Sequence, residues 1–356
     1  MQKVTFDAKQ NFFFNSVKEK VDRYFSEHHL DPSGSRKLYV KSSILVLLAL
    51  GFYTWLVFFT PPIWIAVIVC VLLGLNLGAI GFNIMHEGGH QSFSKHAWLN
   101  SVSAYFLNVL GGNTYFWKIK HNINHHTYTN IEGVDADIDV KPFMRLHKEQ
   151  PWYPLHRFQH IYWVVLYGIS YIAWVFYEDF LKYFRNKVAP HMAPKKLKRK
   201  EHIIFWLTKV FYVSVYLAVP IFMVGWLYAL VGFLIVTFVT GLFISIVFQL
   251  AHVVEGTQFS SPAQNSNKIQ VEWAIHQVRA TANFGTKNPV LFWLLGGLNF
   301  QIEHHLFPRV SHIHYPQISK FVKESCREYN VAYHEYPTMV KAFFSHVLHL
   351  RKLGIS

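Results

Sequence analysis

Apolar residues in this chain gather into four runs with almost no charge, at about 43–59, 63–84, 203–224 and 226–250. A helix needs roughly 20 apolar residues to cross the hydrocarbon core of a bilayer, with ~17 near the lower limit. Each run therefore predicts a membrane span. Thr60-Pro61-Pro62 separates the first pair and Gly225 marks the break in the second. Turns this short force antiparallel neighbours, so the runs pair into two hairpins. The predicted fold class is an all-α membrane protein with four transmembrane helices, residues 41–356 forming one membrane domain.

Two further stretches, Trp98 to Leu110 and Ile161 to Tyr177, are predicted to lie along the membrane interface. The first is short, and the second is rich in Tyr and Trp, which favour the headgroup level. Within residues 15–30, Val17, Val21, Tyr24 and Phe25 recur at helical spacing before Pro32 and Gly34. This predicts an amphipathic helix, packed on the cap or the membrane, in a cytoplasmic N-terminal segment of residues 1–40. Residues 85–202 and 251–356 are left to form a helical cap.

Charge sets the orientation. Residues 1–41 hold 8 Lys and Arg, residues 85–202 hold 15, and residues 251–356 hold 10; with Lys209 these account for all 34. Neither tight turn carries any. The positive-inside rule then puts both termini and the central region in the cytoplasm. Lys209, inside the third run, is expected to snorkel back to the interface, with a functional charge in the bilayer as the alternative. The basic run from Lys195 to Lys200 reads as a topology anchor before the third span. Docking of an acidic redox partner is the other reading.

Composition agrees: 52% of residues are hydrophobic, 17% aromatic and only 15% charged. The net charge of +14 suits anionic headgroups rather than nucleic acid, because aromatic-rich apolar runs separate the basic residues. Cys70 and Cys326 lie in unlike surroundings, which excludes a disulfide framework and fits a reducing compartment. The first apolar run begins near Ser43, behind charged residues, and is not expected to be a signal peptide.

The chemistry is carried by histidine. His86-Glu-Gly-Gly-His90, His121-Asn-Ile-Asn-His125-His126 and Gln301-Ile-Glu-His304-His305 each place imidazoles a helical turn or so apart. Imidazole suits iron, copper, zinc and nickel, so eight or more such ligands imply one or two transition-metal ions. His86 and His90 share a helix face, as do His121 and His125, with His126 turned toward a neighbouring surface. Gly88 and Gly89 weaken a helix by ~1 kcal/mol each, so this segment is expected to be only partly helical. They also let another backbone or a substrate come close. The topology puts all three clusters on one side of the membrane, and brings in His252, just past the fourth span, as a further ligand. The other 14 histidines read as surface residues, with His276 and His312 near the third cluster but without its spacing. Glu87, Asp135, Asp137, Asp139, Glu255 and Glu303 are candidates to orient the ligands through their second N–H.

These motifs, HEGGH, HNINHH and QIEHH, in this order with two hairpins interposed, resemble the integral-membrane fatty acid desaturase family from about residue 40 to 315. FQLAHVVEG around His252 and GGLNFQIEHHLFP are similar to its acyl-lipid or linoleoyl-CoA branch. Gln301, where other branches carry histidine, is similar to the front-end desaturases, which insert a double bond between an existing one and the carboxyl end. The resemblance implies a di-iron centre, O2 as oxidant and two electrons from an external donor. Its ligands would be His86, His90, His121, His125, His126, His252, His304 and His305, with Gln301 binding weakly or through water. The substrate would be a fatty acyl chain on CoA or a membrane lipid. The chain has no HPGG haem motif, which points to a separate donor, a ferredoxin or free cytochrome b5 with its reductase. A bacterial inner membrane is the favoured location, the endoplasmic reticulum the alternative.

An unactivated methylene has no acidic proton and no leaving group, so the hard step would belong to the metal centre. Tyr115, Phe116 and Trp117 are candidates to line the acyl tunnel. The nearest rival is a hydroxylase, ketolase or sphingolipid desaturase on the same scaffold. A metal transporter would instead hold ionisable ligands near the bilayer midplane, and a silent scaffold leaves eight clustered ligands without a purpose.

Overall fold

The computed structural model describes residues 4–7, 11–189, 191–261 and 267–355. After α1 (Phe12–Glu27) come the two predicted hairpins. They are α2 (Arg36–Phe58) with α3 (Ile63–Gly89), and, after α4 (Ala97–Val109), α5 (residues 114–128) and α6 (Pro154–Arg185), α7 (Arg199–Val224) with α8 (Trp226–His252). The turns are as tight as the sequence requires, with Thr60 at φ 39° and Gly225 at φ 87°. Two of these helices outrun their apolar stretches in a consequential way. Helix α3 continues through the HEGG sequence, and α8 ends on His252, so two of the long apolar helices themselves carry predicted ligand residues.

The interfacial stretch Ile161 to Tyr177 belongs to α6 (Pro154–Arg185), a continuous helix of 32 residues. Among the described residues, five helices are thus long and apolar enough to cross a membrane, one more than the four predicted spans, which fits a multi-pass membrane protein. The helix runs on past the polar residues Asp179, Lys182 and Arg185. Two of those charges are neutralised within the protein: Asp179 pairs with Lys209 at 2.9 Å, and Lys182 with Glu178 at 2.8 Å. The other expected interfacial piece is α4 (Ala97–Val109). At 13 residues it reaches only ~20 Å and cannot cross.

Lys209 does not snorkel. Its ammonium donates to Gly111 O at 2.7 Å, Val175 O at 2.8 Å and Asp179 Oδ2, which uses all three protons. The acceptors come from the turn after α4 and from α6, elements far away in sequence.

Helix α8 is the central pillar, packed along α3 and α6; Ser170 and Ser245 bridge α6 and α8 by hydroxyls 2.9 Å apart. The cap is built from residues 114–128 (α5), α9 (Trp273–Ala280), α10 (Pro289–Leu294), α11 (Gln301–Leu306), α12 (Tyr315–Glu328) and α13 (Met339–Ile355). Two short parallel pairings tie distant segments together, Thr5–Phe6 with Lys268–Ile269 and Asn283–Phe284 with Glu335–Tyr336. The N-terminal helix is displaced from the predicted 15–30 but uses the predicted face. Phe13, Val17 and Val21 are buried with Val278, Ile318 and Val322 of α9 and α12. Glu272 caps it from outside, accepting from two amides of its first turn, Phe13 N and Phe14 N. Both cysteines are free and buried.

Candidate metal centre

The first cluster sits at the end of α3, where residues Gly81–Met85 widen into one π-helical turn before His86. Contrary to the partly helical expectation, the helix continues to Gly89. The two glycines serve close approach instead. A Cβ on Gly88 would lie 2.5 Å from Ala104 N of α4, and one on Gly89 2.2 Å from the Trp117 ring. Both distances are below any tolerable contact, so only glycine lets α4 and α5 close over this helix.

The second cluster lies in another π-helical segment, Ile119–His125. Its five-residue repeat changes the facing of the side chains. His121 was expected to share a face with His125, but its Nε2 is 3.3 Å from His126 Nε2, while His125 turns to His252, ring centroids 4.7 Å apart. An insertion of this kind recurs at functional sites and is not readable from i, i+4 spacing.

Among the described residues, two all-histidine groups have ligand atoms within 4.8 Å of one another, His86, His90, His121 and His304 in one and His125, His252 and His305 in the other, and a third set, His121, His125 and Asp137, links them. His126 lies between them, its ring 4.7 Å from His304 and 4.4 Å from His305. Gln301 joins the second group, its amide nitrogen 3.0 Å from His252 Nε2 and 3.3 Å from His305 Nε2. All nine predicted residues converge.

Three observations fit this convergence to a metal. His86 Nε2 and His121 Nε2 face each other at 3.1 Å. The Nε2 atoms of His90, His125 and His304 are buried with no hydrogen-bond partner among the described residues, an arrangement costly for polar atoms unless something else satisfies them. Burial, reinforced by neighbouring imidazoles, also holds His90, His121, His126, His304 and His305 well below the ordinary imidazole pKa. They are neutral at physiological pH and present the lone pairs a metal needs. His125 is the exception. Burial lowers its pKa, but the Asp135 charge and hydrogen bond, with Asp137 beyond, outweigh that and raise it.

Orienting partners are only partly those expected. Asp135 accepts from His125 Nδ1 at 3.0 Å, and Asp137 lies 3.6 Å from the same nitrogen. The remaining acids face away. Glu87 accepts from His312 Nδ1 at 2.8 Å, Glu303 from Asn283 and Tyr333, Asp139 pairs with Lys141, and Glu255 with Lys352. The work falls to neutral residues that spacing did not flag. Gln277 Oε1 accepts from His305 Nδ1 at 2.8 Å, and the Tyr315 hydroxyl lies 3.1 Å from His304 Nδ1. Neither residue is near its partner in the chain, so only tertiary contact reveals them.

The expectation that every other histidine is superficial is corrected as well. His147, His156, His276, His312 and His346 are buried, each bonded to backbone or side chains. Of the candidate tunnel residues, Trp117 stacks on His121 at 4.7 Å, whereas Phe116 packs on Phe205 and Tyr115 on Phe116. A cavity of about 380 Å³ lies between α2, α3, α6, α7 and α8, lined among others by Cys70, Leu73, Leu77, Tyr171, Tyr212 and Gly232.

Comparison with known proteins agrees with this geometry. The fatty acid desaturase family model matches residues 62–337. The sn-1 linoleoyl-lipid 6-desaturase of Arthrospira platensis is 35% identical over 99% of this chain and 95% of its own length. Its namesake from Synechocystis sp. is 35% identical over 99% and 98%. An acyl-lipid (8-3)-desaturase of Physcomitrium patens is 32% identical over 98% of this chain and 73% of its own.

Proposed function

The chain belongs to the fatty acid desaturase family, and from that premise we propose that it inserts a cis double bond into a lipid-linked acyl chain, between an existing double bond and the carboxyl end. The single observation that carries the reading is the convergence of eight imidazoles and Gln301 into adjoining groups at the ends of long apolar helices. The names of the relatives support the lipid carrier and the front-end position.

The overall change is balanced. Two C–H bonds on adjacent carbons break and one C=C bond forms. O2 takes two hydrogen atoms (two electrons and two protons) from the substrate, two electrons from a donor and two protons from solvent, and leaves as two waters. The donor we propose is a separate ferredoxin or cytochrome b5.

His86, His90, His121 and His304 would hold one iron, and His125, His252 and His305 the other, with His126 between them and Gln301 beside the second. Bound iron would supply the O2 activation that acid–base chemistry cannot. The protein's own part is positioning. Asp135, Gln277 and Tyr315 fix ring orientation, and burial of the cluster excludes water that would quench an oxidant. Trp117 and the two glycines close the wall beside His121. The cavity between the spans gives the methyl end of the chain an apolar path away from the histidines.

Topology follows from the same convergence. His125 and His252 share a group, so an even number of crossings must separate them. Helices α7 and α8 supply two, which supports α6 lying against the bundle with both ends on the cap side. Its first turn is covered by α13, with Trp152 bonded to Gly354 O just before it, and Glu178 near its other end lies 3.8 Å from Lys120, the neighbour of His121. Helix α1, packed on α9 and α12, supports the same side for the N-terminus. The relatives from Arthrospira and Synechocystis support a bacterial membrane.

The test is expression in a lipid-defined host fed candidate polyunsaturated precursors, with mass spectrometry to locate new double bonds. A new bond on the carboxyl side of an existing one, lost in His304→Ala, is the expected result. A product carrying one added oxygen would move the assignment to a hydroxylase, and no product from any substrate would overturn it.

A further inference from the structure

Helix α13 leaves an apolar stripe uncovered. Val340, Phe344 and Leu348, at i, i+4 and i+8, are exposed, the first two by 62% and 61%, while Ala342, His346 and Leu350 are buried. Helix α6, which packs beside it with Trp163 against Phe343 at 5.5 Å, shows the same pattern in Ile161, Val165 and Ile169. Helix α10 adds Val290 and Trp293, and the Trp293 ring sits 5.2 Å from the Lys41 ammonium. Apolar stripes on a helix with Trp and Lys beside them are the features of an element lying in the headgroup plane.

A groove of about 580 Å³ separates α10 from α13, lined by Ile246, Gly285, Leu291, Met339, Val340 and Phe343. Its size falls within the roughly 300–1,000 Å³ of small-molecule sites. Ile246 belongs to α8, so the groove wall continues the surface of a membrane helix. Lys287 and Lys341 are exposed, each next in sequence to a lining residue, Asn288 and Val340. Positive charge carried next to lining residues is complementary to a phosphate. Inward, Leu291 and Phe343 pack in one cluster with Phe82, Leu250 and Leu298. Those three lie within four residues of His86, His252 and Gln301 respectively, so one apolar layer separates groove from metal centre.

We propose that this groove is a lateral portal. An acyl chain of a membrane phospholipid enters between α10 and α13 from the bilayer, with its phosphate near Lys287 and Lys341, and passes inward toward the histidines. The inference rests on the desaturase reading, and names the side from which a lipid-linked substrate arrives.

Full-length protein in phosphatidylcholine–phosphatidylglycerol vesicles, doped with a phosphatidylcholine bearing a mid-chain diazirine, tests it by photolabelling and peptide mass spectrometry. Label on Met339, Phe343 or Leu291 is expected. Met339→Trp, which fills the groove, should lose that label and the turnover of lipid-linked chains while metal content stays unchanged. Lys287→Gln with Lys341→Gln, at exposed sites where folding is not at stake, should lower the label yield. An unlabelled groove while Leu234 of α8 is labelled overturns the portal, as does a Met339→Trp protein with wild-type label; unchanged label in the lysine double variant overturns the phosphate contact. Label in the groove without any double bond formed would sink the desaturase reading and leave the portal standing. Double bonds formed with the groove unlabelled would do the reverse.

Discussion

Asp135→Asn separates the orientation of a ligand from its presence. The carboxylate is 1% exposed and accepts three hydrogen bonds: His125 Nδ1 at 3.0 Å and Asn130 N at 2.9 Å on one oxygen, Asp137 N at 2.9 Å on the other. An amide of the same shape has one acceptor oxygen. Turned toward His125 and Asn130, it opposes its NH2 to the Asp137 N–H; turned the other way, it opposes two donors. At least one buried N–H loses its partner, at about 1–3 kcal/mol. The charge that raises the His125 pKa disappears with it, and if Nδ1 becomes the acceptor, Nε2 carries the proton and cannot bind metal. Loss of such an orienting partner weakens metal affinity by roughly 10–100-fold, about 1.4–2.7 kcal/mol. The assay is metal per chain by mass spectrometry across a chelator titration, with a thermal melt alongside. Release at 10–100-fold lower chelator, and turnover falling in step with bound iron, is expected on that scale. An Asp135→Asn protein that holds its metal as tightly as wild type would refute the claim that this carboxylate fixes His125.

Lys209→Met strands the Asp179 carboxylate, which is fully buried beside it, and should cost about 3–5 kcal/mol; adding Asp179→Leu should restore much of the melting temperature, and a double variant no better than the single would count against the pair. Acidification should destabilise the fold. Burial pushes His276 and His346 down to about 4 from 6.5, so between those values the unfolded chain binds more protons. Stability is intact above 6.5 and falls by about 1.4 kcal/mol per pH unit for each group as pH drops toward 4; a melting temperature flat from pH 6.5 to 5 would contradict this. Gly232→Phe should shorten the longest acyl chain accepted, because a Cβ there meets only Cys70 Sγ at 3.6 Å and the ring would fill the cavity. Unchanged chain-length preference in competition assays would remove the cavity from the acyl path.

The sequence alone determined the two hairpins and the full set of converging residues, including His252 and Gln301, because local rules suffice for both. Apolar length needs no partner to be recognised, and short turns leave one pairing. Imidazoles near the ends of such helices then have only one side of a membrane on which to meet. Tertiary structure decided the rest. The π-helical turn that sends His121 to one group and His125 to the other inserts a residue into a repeat that spacing assumes to be regular. Lys209 reads as a charge seeking water until α6 and α7 bring it to Asp179. Gln277 and Tyr315 orient ligands from 28 and 11 residues away. Contacts that long in sequence are made by packing, and packing has no period that the chain displays.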